Sequence, residues 1–128
     1  MDKERVKAFS DKIFADMAGA MTVGLGFVGV KTGLFRAMAG KGPMTLKQVV
    51  AATSLQSRYV DEWLKGMVCA GYLDHDPGAD TYRLPEEHAF LLASEGSRPL
   101  WSAIGSGVGG RPALFESVRQ SDNLICDE

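Results

Sequence analysis

Two cysteines and two histidines are all that 128 residues contain of these types, and that scarcity excludes a good deal of chemistry. Cys69 and Cys126 lie far apart with no Cys or His partner at metal-ligand spacing, so a disulfide framework or zinc knuckle is not expected and both thiols should be reduced. Neither His75 nor His88 has an Asp, Ser or Cys partner that the sequence alone can set beside it. No catalytic, cofactor-binding or metal-binding residue is therefore assigned. Charge of one sign is missing too. A net charge of -2 gives no field that would draw the chain to a polyanion. Long apolar runs are absent: the longest uncharged stretch, Met17 to Val30, has 14 residues, short of the ~20 that cross a bilayer. It reads as a core helix, with no membrane association expected. The opening Met-Asp-Lys-Glu-Arg-Val-Lys is not followed directly by an apolar segment, so no secretory signal is apparent and a cytoplasmic location is the expectation.

What is present suits one folded domain. The composition, 45% hydrophobic and 23% charged with 15 glycines, is globular rather than disordered or fibrous, and the length can bury a single core unaided. Val6, Phe9, Ile13 and Met17 recur at helical intervals from Lys3 to about Gly19, with Lys7, Asp11, Lys12 and Asp16 for the wet side; an amphipathic helix is predicted. Ala20 to Ala39 follows almost without charge, and a helix apolar all round needs cover on most of its circumference. In so small a domain the expected cover is a second chain. Glycines at 24, 26, 29 and 33 each cost about 1 kcal/mol relative to Ala inside a helix, which leaves two readings open: one helix packed closely at its glycines, or a break near Gly24 to Gly26.

Gly40-Lys41-Gly42-Pro43 stops that segment, and Thr45-Leu46-Lys47-Gln48 has the form of a capping box that opens a short helix to about Ala52. The clearest helix runs from Ser57 to Ala70, where Val60, Trp63, Leu64, Met67 and Val68 form one apolar stripe and Gly71 supplies the stop. Tyr72 to His75 and Thr81 to Leu84 are of strand type, joined by the turn chemistry of Asp76-Pro77-Gly78. Pro85, Glu86 and Glu87 open a last helix that should end near Ser94. The predicted fold is mainly α: a winged helix-turn-helix with a two-stranded β wing, the winged unit spanning about 43–85, preceded by long N-terminal dimerisation helices. Residues 1–95 make up that unit, and 96–128 read as a glycine-rich linker, a short helix at Ala113 to Arg119 and a polar tail.

One stretch is more particular. Arg58-Tyr59-Val60-x-Glu62-Trp63-Leu64, Ala70-Gly71-Tyr72-Leu73, Asp76-Pro77 and Tyr82-Arg83-Leu84-Pro85-x-x-His88 resemble the N-terminal winged-helix domain of S-adenosylmethionine-dependent O-methyltransferases. Gly33-Leu34-Phe35, Gly42-Pro43 and Thr45 add to the likeness, which covers roughly residues 5–95. The resemblance implies a domain that pairs two subunits through interlocked helices and helps to cover a substrate, while catalysis sits in a separate Rossmann-like domain for which the remaining residues are too few. It implies a non-catalytic homodimerisation and substrate-lid module, with no cofactor held by this chain, since S-adenosylmethionine would need the absent domain. The interface expected for the homodimer is Val6, Phe9, Ile13, Met17, Leu25, Val28, Leu34 and Phe35.

Three further signals are weighed against blander readings. Gly24-Leu25-Gly26-Phe27-Val28-Gly29 fits G-x-G-x-x-G, yet no strand precedes it and the next acidic residue is Asp61, so helix packing is the better reading. Ile104-Gly105-Ser106-Gly107-Val108-Gly109 is the form of a methyltransferase cofactor loop, but Ala103 stands where that family has an acid; a flexible linker is expected. A winged helix can bind DNA, and Arg58, Tyr59 and Lys65 would then carry the contact. Against this, Arg58, Asp61, Glu62 and Lys65 sum to zero charge and the wing carries Asp74, Asp76 and Asp80, which repel phosphate. Trp63 and the methionines at 17, 21, 38 and 67 read as core. A small hydrophobic ligand between the dimer's helices is a further possibility that the sequence does not name.

Overall fold

The computed structural model describes residues 1–94; the Ile104 to Gly109 motif, the Ala113 to Arg119 segment and Cys126 lie outside them. The elements are α1 (Lys3–Thr32), α2 (Leu34–Met38), α3 (Leu46–Thr53), α4 (Ser57–Cys69), β1 (Asp74–Asp76), β2 (Thr81–Arg83) and α5 (Glu86–Leu92). The fold is a mainly helical winged helix-turn-helix with a two-stranded antiparallel wing.

The N-terminal arm differs from both readings of its glycines. α1 is one helix of 30 residues running through Gly24 and Gly26, and the break falls at Gly33, whose φ of 79° is costly for any residue with a Cβ. The helix begins on Asp2, whose carboxylate accepts from the backbone N–H groups of Glu4 and Arg5, and ends with Lys31 in its last turn, a charge arrangement that suits the helix dipole.

α3 and α4 form the helix-turn-helix. Thr45 and Gln48 make the expected reciprocal cap. Ser54, in left-handed conformation, turns the chain toward α4. On α4, Val60, Trp63, Leu64 and Met67 are buried, the stripe that the 3.6-residue period dictates. They meet Leu34, Phe35 and Met38 of α2 and Val49 of α3 in a core closed by Leu73, Tyr82, Leu84 and Leu92. The first wing strand starts and ends later than the sequence suggested, while the second starts at Thr81 as expected and stops one residue short, at Arg83: Asp76 joins β1 and its carboxylate accepts from the N–H groups of Gly78 and Ala79, the side-chain mimic of a turn that Asp commonly makes. Tyr82 spends both its backbone groups on Met44, N–H to carbonyl at 2.7 Å and carbonyl from N–H at 2.8 Å, so the segment before α3 adds a third, single-residue rung to the wing.

Candidate functional site

α1 has two halves with different surroundings. In the C-terminal half, Gly26 and Gly29 are buried against α4. The Trp63 ring lies so close that a Cβ on Gly29 would stand 2.5 Å from its Cζ2 and 2.6 Å from Cε2 of Phe35. Trp63 donates its ring N–H to the carbonyl oxygen of Leu25 at 2.9 Å and meets Phe35 edge to face at 5.0 Å. On α4, Gly66 is matched to the Leu25 side chain, whose Cδ1 lies 2.8 Å from where its Cβ would be. Gly26 and Gly29 of the G-x-G-x-x-G string are thus taken up by helix packing, whereas Gly24 has nothing within 4 Å, and no strand stands before the string.

In the N-terminal half nothing of the kind occurs. From Lys3 to Met21 every residue except half-buried Ser10 is exposed. Phe9 is 64% exposed, Phe14 67%, Met17 56%, Met21 70%, Val6 50% and Ile13 43%. Charged residues occupy the opposite face, where Lys7 pairs with Asp11 at 2.8 Å and Lys12 with Asp16 at 2.7 Å. Such solvated i,i+4 pairs contribute only about 0.3–0.5 kcal/mol each. The projecting half is therefore an amphipathic helix with an open apolar side.

Of the eight residues expected at an interface, the structure leaves four, Val6, Phe9, Ile13 and Met17, exposed on this arm. It corrects two: Leu34 and Phe35 are 2% and 1% exposed in the chain's own core, because the turn at Gly33 folds α2 back under α4. Leu25 and Val28 are half-buried, Leu25 through its contacts with Trp63 and Gly66. Met17 and Met21, read as core, are exposed, whereas Met38 and Met67 are fully buried. Phe14 and Met21 belong to the same apolar side, three residues before and four after Met17, and were left out of the expected interface, Met21 because it was assigned to the buried segment that follows. By length and composition α1 could also cross a bilayer, with a mean hydropathy of 1.7 over its most apolar 18 residues. That window overlaps the turns that pack on Trp63 and Gly66.

The groove-facing side of the winged unit carries little free positive charge. Arg58 and Tyr59 are exposed at the start of α4, but Lys65 is bound to Asp61 at 2.8 Å, and the hydrogen bond and charge of Asp61 raise its pKa. Asp74, Asp76 and Asp80 are all exposed on the wing. His75 does have a partner that the sequence did not place: its Nε2 lies 3.0 Å from Oδ1 of Asp80, across the turn, while its ring stacks on Tyr82 at 4.7 Å. Tyr82 is buried, and that burial first, then the carboxylates of Asp80 and Asp61, push its phenol above the ordinary value against the pull of Lys65. His88 contacts the Tyr72 carbonyl through Nδ1 at 2.8 Å, tying α5 to the wing. Cys69 is a free, exposed thiol. No group of three or more potential metal ligands occurs among the described residues. A shallow, open cleft of about 320 Å³ at the α1–α2 turn is lined by Thr32, Gly33, Arg36, Ala37, Ala52 and Thr53.

A helix-turn-helix closed by a two-stranded wing is what comparison with protein families also finds. The chain belongs to the Rv2258c-like winged HTH domain family. The family's model matches residues 18–94, so the winged HTH domain includes the packed half of α1 and leaves its projecting half outside. No curated protein matches. Among solved structures, the winged HTH domain is similar to the mitomycin 7-O-methyltransferase MmcR, with a TM-score of 0.65 and 20% identity over 75% of this chain and 28% of that one. PigF with SAH gives 0.62 and 22%, over 75% and 28%. The apo form of the S-adenosylmethionine-dependent methyltransferase SibL gives 0.61 and 21%, over 86% and 33%. The chain thus spans about a third or less of the length of these proteins, and its winged HTH domain shares the fold of their non-catalytic N-terminal region.

Proposed function

We propose that the chain is a non-catalytic homodimerisation module, paired through the projecting half of α1, which in a methyltransferase assembly would also help to cover the substrate. The observation that carries this reading is the exposed apolar side of α1. A helix in a protein owes most of its stability to packing of its apolar face, and residues 3–21 find no such packing among the described residues. Six large side chains at 43–70% exposure offer on the order of 600 Å² per copy, about 1,200 Å² for a pair, which reaches the lower bound of specific, stable interfaces. A second copy supplies that area by symmetry, one patch meeting itself.

Lipid is a poorer cover. The apolar window of α1 extends into the turns held against Trp63, and Lys7, Asp11, Lys12 and Asp16 line the same arm. A catalytic role draws no support from His75, whose carboxylate partner, Asp80, sits exposed at the wing tip. A DNA-binding role is disfavoured by the Asp61–Lys65 pair and the three wing carboxylates, since affinity for DNA depends on neutralising phosphates.

Sedimentation equilibrium of the full chain tests the proposal. The wild type should associate to a dimer at micromolar concentration, and Phe9→Glu combined with Ile13→Glu should give a monomer whose winged unit melts as before. A wild-type chain that stays monomeric up to about 100 µM, weaker than any functional pairing of this size, would overturn it. Removing residues 1–17 is the matching truncation; a cut as deep as residue 39 would also remove Leu34, Phe35 and Met38 from the core.

A further inference from the structure

We propose that two copies of the chain cross at Ala20 and Gly24 of α1, where their backbones approach most closely; this rests on the dimer reading above and specifies how the pair is built. Inside the chain, close packing accounts for Gly29, which faces Trp63 and Phe35. It does not account for Gly24. A Cβ there would meet nothing within 4 Å among the described residues, and its φ is not positive, so neither crowding by those residues nor backbone conformation calls for glycine. Glycine in a helix interior is nonetheless destabilising relative to alanine.

The position of Gly24 supplies the reason. Ile13, Met17, Ala20 and Gly24 follow one another at intervals of four, three and four, which puts them on one face of α1. Ile13 and Met17 are among the exposed apolar residues, Ala20 is exposed and Gly24 half-exposed. The face thus narrows from large side chains toward the free end to small ones beside the winged body. Small residues four apart let two helices come together at the backbone, and the larger side chains beyond the crossing then fill the space between the diverging arms. The occupant is a second copy. From Ile13 to Gly24 the face holds no charge, while the charges beside that stretch are paired in their own helix, Lys7 with Asp11 and Lys12 with Asp16, so an uncharged surface can meet its own image without repulsion.

Gly19 provides the control. It too has nothing within 4 Å, but it stands three residues from Asp16 and seven from Lys12, on the charged side. Both Gly19→Ala and Gly24→Ala should strengthen the helix of the separate chain. In sedimentation equilibrium on the full-length protein, Gly24→Ala should weaken dimerisation about tenfold or more, as added bulk at a close contact does, and Gly19→Ala should leave it within about twofold. Gly24→Leu should give a folded monomer by circular dichroism. Association of Gly24→Ala as tight as the wild type, or tighter, would overturn the crossing while the dimer stood; a wild type monomeric at every concentration would overturn both.

Discussion

At the residue scale, Trp63 and Gly29 hold the arm to the body. The indole N–H satisfies a carbonyl in the middle of α1 while the ring occupies the space left by a missing Cβ. Gly29→Ala should therefore destabilise the domain by about 1–3 kcal/mol through overpacking, even though alanine is the better helix former; urea unfolding followed by far-ultraviolet circular dichroism will show it, and unchanged or increased stability would contradict the packing described. Tyr82 carries a pH dependence. Its phenol is raised above 10.0 chiefly by burial, so the folded state favours the neutral form. That stability is present in full below the unfolded value near pH 10 and is lost as pH rises through the folded one. Above pH 10 the wild type should lose stability more steeply than Tyr82→Phe, and parallel pH profiles would show that the phenol does not contribute. His75 and Asp80 matter less to stability, because Asp80 is largely solvated and such pairs are worth little.

At the scale of elements, α1 stands apart. α3 and α4 are short helices whose apolar stripes are consumed by the core, whereas the first 19 residues of α1 have no tertiary support among the described residues. If pairing supplies that support, helix content must follow association. On dilution of the full chain from about 100 µM to 1 µM, ellipticity at 222 nm should fall by an amount that corresponds to unfolding of residues 3–21, while the tryptophan signal of the winged unit stays constant. Helicity independent of concentration would show that α1 is stable without a partner. The wing is smaller but better tied: the Asp76 turn, the Met44 rung and the His75–Tyr82 stack brace strands of three residues each, which would be marginal alone.

At the scale of the whole molecule, charge is divided along the chain. Between Met17 and Val60 stand Lys31, Arg36, Lys41, Lys47 and Arg58 and no acid; from Asp61 to Ser94 there are seven acids and two bases, Lys65 and Arg83. Most of α4 and both wing strands lie in the acidic part, which is what disfavours a DNA-binding role for this fold here. Much of this was legible in the residues. The capping box at Thr45 and Gln48, the stripe from Val60 to Met67, the stop at Gly71 and the Asp-Pro-Gly turn each depend on neighbours within a few positions, and local rules of period, cap and turn decide such features. The winged-helix class followed from their order. The amphipathic arm was legible for the same reason, since Val6, Phe9, Ile13 and Met17 state their face by interval alone. What the sequence could not decide was which apolar residue meets which. Leu34 and Phe35 look as fit for a partner's surface as Phe9 does, and a helix of Gly, Ala, Val and Leu looks equally buried on every side. Only the tertiary structure separated them, because the Gly33 turn places α2 beneath Trp63 and because close approach is a property of two backbones at once: it assigns Gly29 to the chain's own packing and leaves Gly24 open.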